Sequence, residues 1–342
     1  MTVRSALVTG ASGQDGWYLI KFLLAKGYQV HAQSRFPAGP DSHREEVRWY
    51  VGDLTNTQFL ETLVRNARPA EIYNLAAISR PQLSWSHPLE TGQLNAIVPH
   101  QLCEIVHRIC PETHLFQASS SEMFGASPPP VQDENTPCVP NTPYGVAKAY
   151  AHRIVGAYRA QYGLHLSAGI LFNHESPRRP LSYVSQKIAH GAASIALGLQ
   201  QSKELDEHGL PILKAGRIHL GNIDIKRDFG FAGDYVEAMH AIVQSKVAND
   251  FVIGTGETHS IAEFCEVAFR LIGRDWRDHV VSHPGRVRKT GGDTRANPAK
   301  LRSLLGYAFK TTFSELVAMM VHARIEFLQK SFETPANSNP RL

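Results

Sequence analysis

The stretch Ser5-Ala-Leu-Val-Thr-Gly10-Ala-Ser-Gly13-Gln-Asp-Gly16 decides the fold of this 342-residue chain. Residues 5–9 are apolar enough for a buried strand, and residues 17–26 have the pattern of a helix that Gly27 ends. The three glycines between them allow a tight turn, a close approach of backbone to a pyrophosphate, and close helix–strand packing. Glycines are also common in ordinary turns, but the strand–turn–helix context predicts a dinucleotide site.

Strand-like and helical segments alternate through the first half of the chain. This pattern predicts an α/β fold, a Rossmann-type doubly wound parallel sheet with helices on both faces. The further strands are expected at 28–33, 47–51, 71–75, 115–119 and 165–172, and the main helices at 55–65, 89–108 and 143–162.

The regular alternation of strand-like and helical segments ends after Asn173, which predicts a second part of the chain. We expect residues 1–172 to form the dinucleotide-binding domain, with 218–247 returning to it. Residues 173–217 and 248–333 are then a smaller, mostly α substrate-binding lobe, and 334–342 a flexible tail. The polar residues 201–216 have the composition of an inserted surface segment.

The composition narrows the choice of partners. The net charge is +4 and is spread along the chain, so we expect no nucleic acid and instead a small anionic molecule. No run reaches the roughly 20 apolar residues of a membrane span, and no signal segment is visible, which predicts a soluble cytoplasmic protein. The four cysteines lack metal-ligand spacing, so we expect reduced thiols and no metal.

The ends of the second and third strands bear on the choice of cofactor. The second strand ends Gln33-Ser34-Arg35, with one cation and no acid to repel a 2′-phosphate, which favours NADP over NAD. The alternative is that Arg35 is a solvated surface charge. Asp53 follows the third strand and can accept a hydrogen bond from an adenine amino group, although a helix cap before Thr55 is an equally simple role.

The pair Tyr144 and Lys148 is the main chemical signal. Residues four apart on a helix share one face, and a lysine ammonium beside a tyrosine hydroxyl favours the phenolate needed for a base. Ser120 and Glu122 follow the fifth strand, at the sheet edge where ligands of open α/β sheets bind. A serine hydroxyl can polarise an oxygen, and a carboxylate can remove a proton from carbon next to a carbonyl. The alternative for Glu122 is a solvated strand end.

These residues together resemble the extended short-chain dehydrogenase/reductases, and among them the GDP-mannose 4,6-dehydratase family, over about residues 4–265. The most specific segment is Asn173-His-Glu-Ser-Pro-Arg-Arg179. The other matching segments include Gly52-Asp-Leu-Thr55, Glu71-Ile-Tyr-Asn-Leu-Ala-Ala77, Gln117-Ala-Ser-Ser-Ser-Glu122 and Asp234-Tyr-Val-Glu-Ala-Met239.

The resemblance implies a lyase that acts on a GDP-sugar and recycles hydride on NADP. The implied catalytic residues are Ser120, Glu122, Tyr144 and Lys148. The implied cofactor contacts are Gly10, Ser12, Gly13, Gln14, Asp15, Gly16, Arg35, Asp53, Leu54, Leu75, Ala76, Ala77, Tyr144, Lys148, His174 and Arg179. The implied substrate contacts are Ser79, Ser120, Glu122, Asn173, Lys187, Arg227, Arg286 and Arg288.

The resemblance also implies a homodimer or homotetramer in which the Arg178-Arg179 loop reaches a neighbouring subunit's cofactor site. Two cations flanked by prolines have little reason to be buried within one chain, so we expect another subunit to order this loop. Ser120 stands where the family has threonine, and no glutamate matches the family pattern near Arg286 and Arg288. The sugar is therefore left open between mannose and a close analogue such as a heptose. An NADPH-dependent reductase or epimerase on the same scaffold is the alternative function, and a non-catalytic NADP-binding regulator is a remote one.

Overall fold

The computed structural model describes residues 4–37, 39, 43, 45–206, 209–283 and 293–333. Arg286, Arg288 and the expected tail at 334–342 lie outside these residues. The chain divides into two compact units. Unit 1 comprises 1–174, 232–257 and 289–310, and unit 2 comprises 175–231, 258–288 and 311–342.

Unit 1 is built on a seven-stranded parallel sheet with the order β12-β6-β5-β4-β1-β2-β3. The order reverses between β1 and β4, and such a switch point places a ligand crevice at the carboxyl ends of the strands. The expected Rossmann-type sheet is confirmed. Its strands are β1 Ser5–Thr9, β2 Gln29–Ser34, β3 Val47–Val51, β4 Glu71–Asn74, β5 His114–Ser120, β6 Leu166–Leu171 and β12 Asp250–Ile253.

Helices cover both faces of this sheet. Leu19 and Leu23 pack with Met239 in one fully buried cluster, and Leu60 and Leu102 belong to another. The helices of unit 1 are α1 Gln14–Ala25, α2 Thr57–Ala67, α3 Leu83–Ser86, α4 Pro88–Gly92, α5 Val98–Ile109, α6 Pro143–Tyr162, α8 Ala232–Val243 and α10 Ala299–Leu305. The helix expected at 89–108 is divided by a π-helical turn at Gln93–Ile97.

Helix α6 carries two of the expected catalytic residues, and local sequence fixes its ends. The Thr142 hydroxyl accepts a hydrogen bond from Gly145 N at 3.0 Å, and Pro143 stands at the first helical position. Gly163 ends the helix in the left-handed region at φ +67°. The observed bounds are those expected from the sequence.

Unit 2 has its own core of helices and short strands. Its helices are α7 Val184–Ala196, α9 Ile261–Arg270 and α11 Phe313–Glu333. Its strands β8 Leu213–Lys214, β9 Arg217–Leu220 and β14 Val280–Ser282 form one small sheet, and β10 Lys226–Arg227 pairs with β13 His259–Ser260. The remaining short strands of the chain are β7 Asn173–Glu175 and β11 Phe229–Phe231.

The boundaries differ from the expected ones. Residues 218–231 lie in unit 2, because β9 pairs with β8 and β14. Residues 248–257 lie in unit 1, because β12 extends the main sheet beside β6. The described residues 293–310, which include α10, were expected in the substrate-binding lobe and also lie in unit 1. The segment 201–216 is not wholly a surface segment, since Ile212 and Leu213 are buried in the core of unit 2.

Among the described residues, no helix is both long enough and apolar enough to span a membrane.

Candidate active site

The glycine loop lies between β1 and α1, where close approaches exclude side chains. Gly10 has φ +63°, and a Cβ there would lie 2.8 Å from Ala76 N. A Cβ on Gly16 would lie 2.6 Å from the Cα of Ala11. The missing side chain of Gly10 therefore allows the loop after β4 to pack against it. The missing side chain of Gly16 allows α1 to begin in direct contact with the backbone of the glycine loop. This is the shape that the sequence predicts for a dinucleotide loop.

The first turn of α1 is tied to the end of β6 through His174. Asp15 Oδ2 lies 2.9 Å from His174 Nε2, and His174 Nδ1 lies 2.7 Å from the carbonyl oxygen of Phe172. Gln14 Nε2 donates to the carbonyl oxygen of His174 at 3.2 Å. Both ring nitrogens thus lie within hydrogen-bonding distance of an oxygen atom. Asp15 and His174, both expected at the cofactor, are therefore neighbours.

The end of β2 carries the residues on which the prediction of NADP rests. Ser34 is buried, and its hydroxyl lies 3.2 Å from that of the exposed Ser12 in the glycine loop. Arg35 is exposed, with its guanidinium 5.7 Å from the ring centre of Phe36. Arg35 and the Ser12 hydroxyl therefore lie at the same strand end, and their role toward a cofactor stays a prediction.

Asp53 is exposed at the end of β3, and its role differs from the simple alternative of a helix cap. Its Oδ1 accepts hydrogen bonds from Thr55 N and Oγ1 at 2.9 and 2.8 Å. The cap of α2 is Asn56, which accepts from Phe59 N. The neighbouring Leu54 is buried in the core, so its side chain serves packing.

The four expected catalytic residues lie together at the carboxyl end of β5. Ser120 Oγ accepts a hydrogen bond from Glu122 N at 3.3 Å, which fixes the turn that carries the carboxylate. Tyr144 and Lys148 are both buried on α6, with Lys148 Nζ 5.9 Å from the tyrosine ring centre. A Cβ at Gly145 would lie 2.7 Å from the carbonyl oxygen of Glu122, so α6 packs directly against that turn.

Burial changes the titration of the lysine. Lys148 is 3% exposed, and its Nζ donates to the carbonyl oxygen of Ala118 at 2.8 Å. Loss of solvent lowers the pKa of Lys148 to about 8, and the charge of Asp15 acts in the opposite direction. The ammonium form thus predominates at neutral pH but is lost in mildly alkaline solution.

Polar residues beneath this site were missed by the sequence reasoning. Thr9, Asn74 and Gln117 are almost fully buried in β1, β4 and β5, and they are adjacent in the strand register. Leu75 N and Ala76 N donate to the Thr9 hydroxyl at 3.1 and 3.3 Å, which holds the loop that Gly10 contacts. The available signal was a polar residue near the end of each apolar strand.

The expected substrate contacts lie in different surroundings. Ser79 is exposed after the loop that also carries Ala77, and Asn173 of unit 1 is partly buried. In unit 2, Lys187 is partly buried on α7, and the Arg227 guanidinium donates to the carbonyl oxygen of Lys226 at 2.8 Å. Their assignment to the substrate stays a prediction.

Contacts within the chain itself partly bury Arg179, contrary to the expectation for this loop. Its Nε lies 3.0 Å from the buried carboxylate of Glu175, and its guanidinium lies 3.6 Å from the ring centre of Tyr183. The Ser185 hydroxyl donates to the same carboxylate at 2.5 Å. The paired carboxylate and the aromatic ring explain how this cation is partly buried within unit 2.

Comparison of the sequence with known proteins identifies the family of this chain. The sequence model described as GDP-mannose 4,6 dehydratase matches residues 7–320. GDP-mannose 4,6 dehydratase 1 of Arabidopsis thaliana is 38% identical over 96% of this chain and 91% of its own length. The human GDP-mannose 4,6 dehydratase is 36% identical over 95% of this chain and 92% of its own.

Solved structures support the fold. A UDP-glucose 4-epimerase of Thermotoga maritima with UDP-glucose has TM-score 0.81 and 19% identity, covering 96% of this chain and 99% of its own. RMD of Pseudomonas aeruginosa complexed with NADPH has TM-score 0.78 and 21% identity, covering 95% and 100%. The family model and the two curated relatives show that the chain belongs to the GDP-mannose 4,6-dehydratase family of sugar-nucleotide hydro-lyases.

Proposed function

We propose that this protein converts GDP-mannose, or a close GDP-sugar, to the 4-keto-6-deoxy sugar with internal recycling of hydride on NADP. The observation that carries the proposal is the meeting of Ser120, Glu122, Tyr144 and Lys148 at the carboxyl end of β5. A pure reductase or epimerase needs the tyrosine and the lysine. Elimination of water needs, in addition, a base for carbon 5, and Glu122 is that base.

The residues of unit 1 fit a dinucleotide phosphate. The loop at Gly10 and Gly16 excludes side chains, and α1 begins directly after it, so the positive end of the helix dipole suits a pyrophosphate. Ser12, Ser34 and Arg35 at the end of β2 suit the 2′-phosphate of NADP better than the bare ribose of NAD. A nicotinamide cofactor held by these residues would supply the hydride chemistry between carbon 4 and carbon 6 of the sugar.

The side chains supply the proton transfers. Tyr144 takes the proton of the 4-hydroxyl, because the Lys148 ammonium stabilises the phenolate. The Ser120 hydroxyl hydrogen-bonds the same substrate oxygen as it becomes a carbonyl. The ketone acidifies carbon 5, and Glu122 removes that proton and passes it to the hydroxyl on carbon 6, which leaves as water. Addition of hydride at carbon 6 is then balanced by a proton at carbon 5, which replaces the one that Tyr144 took up. Each residue thus has one role, and burial of the site keeps bulk water from competing.

We also propose a cytoplasmic homo-oligomer. Leu89 on α4 is 87% exposed, and Val146 and Tyr150 share an exposed stretch of the neighbouring α6. Large apolar side chains exposed on adjacent helices are typical of an interface between subunits. A second copy of the chain, as the family resemblance implies, is the occupant we favour.

A panel of sugar nucleotides tests the proposed activity. The protein is incubated with GDP-mannose, a GDP-heptose, UDP-glucose and dTDP-glucose in the presence of NADP or NAD. The masses of the products are then measured by mass spectrometry. We expect loss of one water from a GDP-sugar, faster with NADP, and no net change in the reduced cofactor. Net consumption of NADPH, or an epimer of unchanged mass, would contradict the proposal.

A further inference from the structure

A continuous chain of buried hydrogen bonds runs beneath the catalytic site. Gln117 Nε2 donates to the carbonyl oxygen of Ala118 at 2.9 Å, and Lys148 Nζ donates to the same oxygen at 2.8 Å. Asn74 Nδ2 donates to Gln117 Oε1 at 2.7 Å. The Thr9 hydroxyl donates to Asn74 Oδ1 at 2.6 Å and itself accepts from the amides after β4.

The direction of every bond in this chain is determined. The Thr9 oxygen receives two backbone N–H donors, so its own hydrogen must go to Asn74. The Asn74 amide then donates to Gln117, which leaves the Gln117 NH2 group for Ala118. Reversal of one amide would place two donors or two acceptors face to face at both of its ends.

The chain connects the two functional parts of unit 1. At one end, Thr9 fixes the amides of Leu75 and Ala76, which pack on Gly10 of the glycine loop. At the other end, Gln117 fixes the peptide group whose oxygen receives the catalytic ammonium. Gln117 is 1% exposed, so these bonds are made without competition from water.

We propose that Gln117 is a positioning residue for the reaction, which holds the Ala118 carbonyl group so that it orients the Lys148 ammonium toward Tyr144. Gln117 acts through another group and does not itself contact the substrate. The assignment rests on the proposed catalytic roles of Tyr144 and Lys148. It adds a residue that those roles alone do not specify.

Two substitutions of Gln117 separate positioning from simple stability. Gln117→Met preserves length but removes both polar ends, so the ammonium loses its fixed acceptor geometry. We expect kcat to fall about tenfold, the worth of one well-placed hydrogen bond, while KM changes less than twofold. Gln132→Met is the matched control, because Gln132 is also fully buried and uses its amide to bind Arg295 N and the carbonyl oxygen of Pro129. It should lose similar thermal stability but keep kcat.

Gln117→Glu gives a readout that a structural role does not move. At this buried position the glutamate stays protonated, so it accepts from Asn74 and donates its O–H to the Ala118 carbonyl oxygen, and kcat should return to within about twofold of the wild-type value. In Gln117→Met, by contrast, loss of the fixed acceptor disfavours the ammonium, so the alkaline limb of the pH–kcat profile should move to lower pH, whereas Gln132→Met should leave it in place. The groups that face this lysine include Tyr144 on its own helix and the Asp15 charge from α1.

All variants are assayed in the full-length protein loaded with NADP, after wild-type turnover of GDP-mannose has been established. Failure of the wild type to dehydrate any GDP-sugar would refute the proposed function, and the positioning role that rests on it would fall with it. With an active wild type, an unchanged kcat for Gln117→Met, or a kcat for Gln117→Glu as low as that of Gln117→Met, overturns the positioning role alone.

Discussion

At the scale of single residues, the chemistry depends on a few side chains with distinct surroundings. The spacing of Tyr144 and Lys148 could be interpreted from sequence because a helix has a fixed period. The chain of Thr9, Asn74 and Gln117 could not, because it depends on the register of three strands far apart in sequence. The Arg179–Glu175 pair was missed for a different reason, since sequence alone does not show that a loop turns back on its own carboxylate.

Glu122→Gln tests the assignment of the base for elimination. The amide is nearly isosteric but cannot take a proton, so dehydration should fall by about 10²–10⁴-fold. Oxidation at carbon 4 depends on Tyr144 and Lys148, so nicotinamide absorbance should still rise when substrate is added. Dehydration at the wild-type rate would mean that Glu122 is a bystander.

The lowered lysine pKa predicts a pH dependence. The ammonium form of Lys148 is the active one, and burial lowers its pKa to about 8, so kcat should decline as the pH rises through about 8. Lys148→Arg stays charged throughout this range, so its lower activity should not decline there. A decline of the same shape in the arginine variant would assign the alkaline limb to another group.

At the scale of elements, the sequence predicted regular segments well and their interruptions poorly. Strands β1 and β3 and helix α6 have the expected bounds, because apolar runs, a proline and a terminal glycine mark them. The π-helical turn at Gln93–Ile97 was not foreseen, since one extra residue within a helix leaves little trace in the apolar pattern. The return of β12 to unit 1 was missed because a short edge strand gives a weak signal.

Two glycines of α6 give a matched test of how this helix positions the site. In Gly145→Ala the Cβ would lie 2.7 Å from the carbonyl oxygen of Glu122, so the helix or the catalytic turn must shift. We expect a loss of stability of about 1–3 kcal/mol and a clear fall in kcat. In Gly156→Ala the Cβ meets only Arg159 Nη2 at an ordinary 3.6 Å, so stability should rise by about 0.5–1 kcal/mol with unchanged kcat. Urea unfolding and steady-state kinetics of both variants measure these effects, and equal kcat values would contradict the account.

At the scale of the whole molecule, the two units differ in how closely they follow expectation. The sheet of unit 1 follows from its alternating pattern, and the family match confirms the dehydratase prediction. Unit 2 consists of short strands and helices whose pairing brings Ile212 and Leu213 into a core, although the surrounding residues are polar. Composition alone could not show that Ile212 and Leu213 are buried, because two apolar residues in a polar segment also occur on protein surfaces.

The exposed apolar residues of α4 and α6 predict self-association. Light scattering at micromolar concentration should give the mass of a dimer or tetramer. Val146→Glu combined with Tyr150→Glu should shift the protein toward monomer, because burying two carboxylates in an interface is strongly unfavourable. Glutamates at the exposed polar positions Gln58 and Lys246 serve as a control for added charge. A monomeric wild-type protein would contradict this proposal.

The central claim is that hydride is recycled within one turnover, and deuterium measures it most directly. GDP-mannose labelled at carbon 4 is incubated with the NADP-loaded protein in ordinary water, and the product is examined by mass spectrometry and NMR. We predict a product lighter by one water that carries the deuterium at carbon 6 and a solvent proton at carbon 5, with no net NADPH formed or consumed. Loss of the deuterium to the cofactor pool, its retention at carbon 4, or a requirement for stoichiometric NADPH would contradict the account.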